Sequence, residues 1–426
     1  MSDTKRLVSN TAIIFVGSSI ASVFSYLFNM LMGRLLGPAQ YGEMAAILSL
    51  LSILSVISGV ITTITMLYVS ELYGLGNLAG IKRLLKLLSR YVFFLAILFF
   101  LVGTALARPI ASFFSISHIV PVVIAFSSFI FGFIIVVNKG ILQGTQRFVS
   151  LTIIGVIEMI LRVVLGIILV KIGLAVSGAI LATVLATIAA YFITFLPINK
   201  LLAKIENSQT AKFHFDKKDI ITYSAPVFLS TLLLVTLLNL DVLLVKHYFS
   251  LKDAGLYAAV STVAKIILYL TAPIISVMFP MILEKKSKGE KHFKMLFFSL
   301  GLTVVGALLI LTLYTVVPGF IIKILYGKNY TELYYLLPQL SIFILFYTLI
   351  NLLANYYLAV KNFVFLIFMT LVVLLIFGWT SFFHPSISAV IRIFIVSSGL
   401  LFFLMIGYYF YIKKNQIILF LKGEHE

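Results

Sequence analysis

Apolar runs of about 18–28 residues recur from Thr11 to Ile412, separated by short breaks holding Lys, Arg, Gly, Pro or Asn. They cover roughly 11–33, 41–69, 88–107, 117–137, 150–171, 173–197, 220–247, 254–282, 293–317, 333–360, 362–380 and 388–412. Each run is far longer than the 9–11 residues of a barrel strand, and none alternates polar with apolar, so the pattern predicts twelve membrane-spanning α-helices. The tightest breaks fall at Lys171-Ile172-Gly173 and between the two runs that meet near Lys361.

Composition closes off the alternatives. The 426 residues are 62% hydrophobic and 11% charged, against about 45–50% and about 25% in a soluble domain. A soluble enzyme and a disordered chain are both excluded. With no cysteine, disulfides, thiolate nucleophiles and Cys-based metal centres are excluded too.

The net charge of +18 is first a matter of topology. With both chain ends on one side, 22 of the 32 basic residues fall on that side, seven on the other, and Arg162, Lys265 and Arg392 within helices. The positive-inside rule then places both termini in the cytoplasm of a multi-pass cell-membrane protein. Most of the charge therefore implies no nucleic-acid partner. Lys5 and Arg6 precede the first run without a small-residue cleavage site, so an uncleaved signal-anchor is expected. The longest polar stretch, 198–219, is read as a cytoplasmic linker between a first half (1–197) and a second (220–426).

The halves repeat. Breaks recur about 213–216 residues apart: Tyr41-Gly42-Glu43-Met44-Ala45-Ala46 aligns with Ala254-Gly255-Leu256-Tyr257-Ala258-Ala259, Ser9-Asn10-Thr11-Ala12 with Tyr223-Ser224-Ala225-Pro226, and Leu142-Gln143-Gly144 with Leu358-Ala359-Val360. Six helices per unit give both halves the same orientation, as in transporters whose parallel repeats enclose a central cavity and rock about it. The expected fold is an all-α polytopic membrane protein of two related six-helix bundles.

The opening Ser9-Asn10-Thr11, the turn Arg34-Leu35-Leu36-Gly37-Pro38-Ala39-Gln40-Tyr41-Gly42, the Leu142-Gln143-Gly144 turn, Asp241, the Ala254–Ala259 turn and Lys265 together resemble the oligosaccharide flippase (polysaccharide biosynthesis) family. That family belongs to the multidrug/oligosaccharidyl-lipid/polysaccharide exporter superfamily. The resemblance implies a non-enzymatic flippase that moves a polyprenyl-diphosphate-linked oligosaccharide to the outer leaflet by alternating access, alongside glycan-assembly enzymes and with no cofactor. The alternatives are a cation-coupled multidrug exporter of the same superfamily, and a membrane glycosyltransferase or polymerase; the short outer loops disfavour the last.

Ionisable residues inside apolar helices mark candidate chemistry, because burying them in lipid costs several kcal/mol. Arg162 lies near mid-membrane with Glu158 one turn earlier; the two are expected either to pair or to leave Arg162 facing a diphosphate. Lys265 has no acid within a helical turn, so its partner is another helix, water or a ligand. Asp241 either pairs with Lys265 or serves as an ion-coupling carboxylate. Arg34 and Arg392 lie near outer helix ends, where long side chains reach the interface, and Glu43 opens the second helix. All are lumen candidates. So are Asn29 and Asn239, among the polar positions of the first and seventh helices (Asn10, Ser18, Ser19, Ser22, Ser25; Ser224, Ser230, Thr231) that suit sugar hydroxyls or close helix packing. Pro226, Pro273 and Pro280 mark kinks in the second half. The six histidines show no metal-ligand spacing, and no Walker A motif occurs.

Overall fold

The computed structural model describes residues 3–203, 217–287 and 293–421. The first half comprises α1 (Asp3–Leu54), α2 (Val56–Gly74), α3 (Leu78–Ala105), α4 (Ala107–Phe113), α5 (Val120–Gly144), α6 (Phe148–Leu169) and α7 (Ala175–Leu202). The second comprises α8 (Lys217–Tyr248), α9 (Leu251–Ala264), α10 (Ile266–Ser287), α11 (Phe293–Val316), α12 (Pro318–Tyr326), α13 (Leu337–Ala359), α14 (Phe365–Phe382) and α15 (Ile387–Leu421). A 3₁₀ segment, Lys328–Leu336, joins α12 to α13.

Among the described residues ten stretches are long and apolar enough to cross a membrane, and two of them are double. Phe15–Gly74 runs for 60 residues and Phe148–Leu202 for 55. As straight helices these would reach about 80–90 Å, nearly three times the hydrocarbon thickness. Glycine breaks each one. Gly37 takes φ +73°, with Pro38 starting the next helix, and Gly173 takes φ +98° inside a π-helical turn, Val170–Leu174. Both backbones are left-handed, a region that suits glycine. Twelve crossings result.

The helix edges move relative to the sequence expectation. α5 continues to Gly144, past Lys139, because Asn138 and Gly140 are buried against neighbours and Lys139 is half-buried, rather than exposed in a loop. Two short elements have no counterpart in the sequence pattern: α4, and the α12–3₁₀ pair, which delays the tenth crossing to Leu337. The expected linker is helical at both edges, since α7 extends to Leu202 and α8 begins at Lys217; residues 204–216 lie outside the described residues.

In the first half, α5 packs on α2, α3 and α7, and α6 packs on α1 and α7. In the second, α13 is central, contacting α9, α10, α11 and α15. The halves meet where α1 crosses α9 and where α1 and α2 lie on α8. We call the face holding the start of α1 and the end of α15 the terminal face and its opposite the distal face.

Candidate functional site

Small side chains let the halves touch at the distal face. A β-carbon on Gly255 would overlap the Pro38 carbonyl, so the two backbones lie in direct contact there. Next to this crossing the Tyr41 hydroxyl lies 3.1 Å from that of Tyr326 and 3.2 Å from Thr262 Oγ1. The Tyr330 hydroxyl donates to the Gly33 carbonyl at 2.6 Å. The three tyrosine rings contact one another and are almost completely buried. Arg34 donates Nε to the Leu325 carbonyl at 2.9 Å and a terminal nitrogen to that of Ile324, where the last carbonyls of α12 lack intrahelical partners. His247 of α8 stacks on Phe113 of α4. Together these contacts seal the distal face.

Beneath the seal lies a cavity of about 490 Å³ between the halves. Its lining from the first half includes Ser25, Asn29, Ser52, Ser55, Lys139, Glu158, Arg162 and Thr187; the second half adds Asn239, Thr262, Lys265 and Tyr269. Asn29 and Asn239 each donate the side-chain amide to a carbonyl one turn back, at 2.9 Å and 2.8 Å. They are 210 residues apart, as are Ser55 and Lys265, where α1 gives way to α2 and α9 to α10. Each half thus presents an asparagine and a break in its second crossing to the same space.

Two ion pairs flank this space. Lys139 Nζ donates to Glu158 Oε2 at 2.9 Å, and Thr187 Oγ1 to Glu158 Oε1 at 3.0 Å. Lys265 Nζ lies 3.5 Å from Asp241 Oδ1, while Tyr257 and Ser261 donate to Asp241 Oδ2 at 3.0 Å and 2.7 Å. Asp241 is fully buried behind Lys265. Arg162 is different: its guanidinium sits 5.5 Å from the Phe28 ring centroid, and its Nε has no hydrogen-bond partner.

Of the two arrangements expected for Glu158 and Arg162, the pair is not the one formed: Glu158 makes its ion pair with Lys139. A neighbouring helix supplies Lys139, whose flexible stem reaches the carboxylate better than a guanidinium one turn along the same helix. Lys139, placed by sequence in a terminal-face loop, belongs to the cavity. The signal that could have found it is the Asn138-Lys139 step, which directly abuts an apolar run and continues its helix. Lys246, near the end of the run 220–247, is buried within α8, and its Nζ has no hydrogen-bond partner among the described residues. Of the other candidates, Asn29, Asn239, Glu158, Arg162 and Lys265 line the cavity. Arg34 belongs to the distal seal. Glu43 is buried there, accepting hydrogen bonds from Ser117 N at 3.2 Å and Oγ at 2.5 Å. Arg392 is exposed on α15 and is not brought to the cavity.

A second hollow of about 510 Å³ lies between α1 (Phe15, Ser18, Ser22, Val23, Tyr26) and α10 (Ile266, Tyr269, Pro273). Tyr269 lines both, so the central cavity adjoins a lateral groove between the halves. Among the described residues no group of three His, Asp or Glu could hold a metal ion.

Two bundles around a cavity closed at the distal face form the architecture expected of the exporter superfamily named above. The family model described as polysaccharide biosynthesis protein matches residues 7–286, and the chain belongs to that family. Solved structures show the same fold. An inward-facing multidrug-resistance MATE transporter of the MOP superfamily matches with TM-score 0.73 at 13% identity, covering 92% of this chain and 96% of its own. An outward-facing MATE transporter of that superfamily matches with TM-score 0.64 at 16% identity, over 94% of both chains. A MOP transporter from Pyrococcus furiosus, described as having a binding pocket of reversed polarity that suggests a different function, matches with TM-score 0.60 at 15% identity, over 94% of both chains. No curated protein matches in sequence.

Proposed function

We propose that the protein is a flippase that moves a polyprenyl-diphosphate-linked oligosaccharide from the cytoplasmic to the outer leaflet by alternating access, for surface glycan assembly. The observation that carries this reading is the charge balance of the cavity. Glu158 is paired with Lys139 and Asp241 with Lys265, and among the described residues Arg162 makes no ion pair. A cavity with an excess cation in a low-dielectric setting favours an anionic headgroup and disfavours the organic cations of a drug exporter. The Pyrococcus furiosus transporter of the same fold is itself described as having a binding pocket of reversed polarity that suggests a different function.

Other features fit the same cargo. The asparagines and the serines of α1 and α2 offer hydrogen bonds to sugar hydroxyls. The lateral groove between α1 and α10 gives a lipid tail a route to stay in the bilayer while the head occupies the cavity. In this state the distal face is closed, and the positive-inside reading makes that the outer face. Loading from the cytoplasm and release after the distal contacts part would complete the cycle.

The test is leaflet exchange of a fluorescent polyprenyl-diphosphate oligosaccharide in liposomes holding the purified protein. Exchange well above protein-free liposomes is expected. Background exchange, together with export of an organic cation, would overturn the proposal in favour of the multidrug reading.

A further inference from the structure

The start of α3 carries a second concentration of positive charge, away from the cavity. Arg83, Lys86 and Arg90 are all exposed, and with Leu87, Tyr91 and Phe94 they line a surface groove of about 490 Å³. At 100° per residue, positions 83, 86, 90 and 94 fall within an arc of about 80° on the helix. They form one stripe, cationic at the terminal face and aromatic further in. α3 contains no acidic residue, and none of the three cations makes an ion pair or hydrogen bond among the described residues.

Loop charges that set topology need only lie outside the membrane. Arg90 lies about 10 Å along the helix beyond Arg83, inside the apolar run 88–107. The wall around it faces lipid: only 11% of the most apolar stretch of Leu78–Ala105 is buried, against 67% for Lys328–Ala359. Tyr91 is 67% exposed and Phe94 61%. An unpaired guanidinium at this depth extends to the headgroup level, where an anionic lipid phosphate can pair with it.

We propose that this stripe is a binding site for the phosphate headgroup of an anionic phospholipid in the leaflet at the terminal face. Arg83, Lys86 and Arg90 hold the phosphate, and the first acyl-chain segments lie along Tyr91 and Phe94. Free phosphate would use the cations and leave the aromatic part of the groove empty, whereas a phospholipid matches both.

The test is native mass spectrometry of the full chain, titrated with phosphatidylglycerol or phosphatidylcholine, with millimolar inorganic phosphate as competitor. The wild type should prefer phosphatidylglycerol by about tenfold, Arg90→Gln should cut that preference severalfold, and phosphate should not displace the lipid. Lys361→Gln, at another terminal-face turn, should leave the preference unchanged. Arg90→Gln keeps Lys82, Arg83 and Lys86 to direct insertion, so it reads binding rather than folding; Phe94→Ala should weaken retention of the lipid without removing its headgroup preference. Equal binding of the two lipids, an unchanged preference in Arg90→Gln, an equal loss in Lys361→Gln, or displacement by phosphate would each overturn the proposal.

Discussion

Gly42 of the first half and Gly255 of the second cross backbone against backbone: a β-carbon on Gly42 would stand 2.8 Å from the Gly255 nitrogen. These are the repeat-related glycines of the two halves, so the equivalent point of each half forms the distal contact. Because the obstructing atoms are main chain, a side chain here cannot be accommodated by rotating a neighbour.

Gly255→Ala should therefore weaken distal closure. The chain has no cysteine, so Ser52→Cys, in the cavity lining and outside the seal contacts, gives a single reporter. A membrane-impermeant maleimide applied on the distal side should label it severalfold faster in the Gly255→Ala background. Equal rates would show that the glycine crossing does not hold the seal.

Arg162 and Arg392 are both intrahelical arginines, but only Arg162 lines the cavity. Arg162→Gln should lower flippase exchange at least tenfold, and Lys265→Gln should lower it as well; Arg392→Gln should stay within twofold of wild type. Leaflet-exchange rates at matched protein density check this. A loss in Arg392→Gln equal to that in Arg162→Gln would contradict the assignment of the cavity.

Glu158→Gln leaves Lys139 without its carboxylate partner. A buried ion pair broken from one side costs about 3–5 kcal/mol; Lys139 is 27% exposed, and solvent screening reduces this to about 2 kcal/mol. The double variant Lys139→Met/Glu158→Gln should regain much of that loss, because it removes the unpaired charge together with its partner. Thermal unfolding in detergent measures both. A double variant as unstable as the sum of the singles would show that the two residues are not coupled.

Asp241 spends its oxygens on Tyr257, Ser261 and Lys265. Asp241→Asn retains an acceptor for the hydroxyls and adds one unit of positive charge to the cavity through the unpaired Lys265. Exchange of the anionic lipid should persist within about threefold, with a lower melting temperature. Complete loss of exchange in a folded, substrate-binding variant would instead identify Asp241 as the ion-coupling group.

The twelve crossings, and the residues worth suspecting within them, are legible in the sequence. Bilayer thickness and the need to satisfy every backbone group act on contiguous residues, so run length alone reports a spanning helix. The cost of an intramembrane charge is equally local, which is why Glu158, Arg162, Asp241 and Lys265 stand out along the chain. Pairing is not local. Glu158 takes Lys139 from another helix over Arg162 one turn away, and nothing along the chain distinguishes Tyr41, Tyr326 and Tyr330 from the other tyrosines; packing alone brings them together. The sequence by itself determines how many times the chain crosses and which side chains are costly to bury. Only the tertiary structure decides which charges cancel and which face is shut, because both depend on approaches between helices far apart in the chain, hundreds of residues apart at the seal.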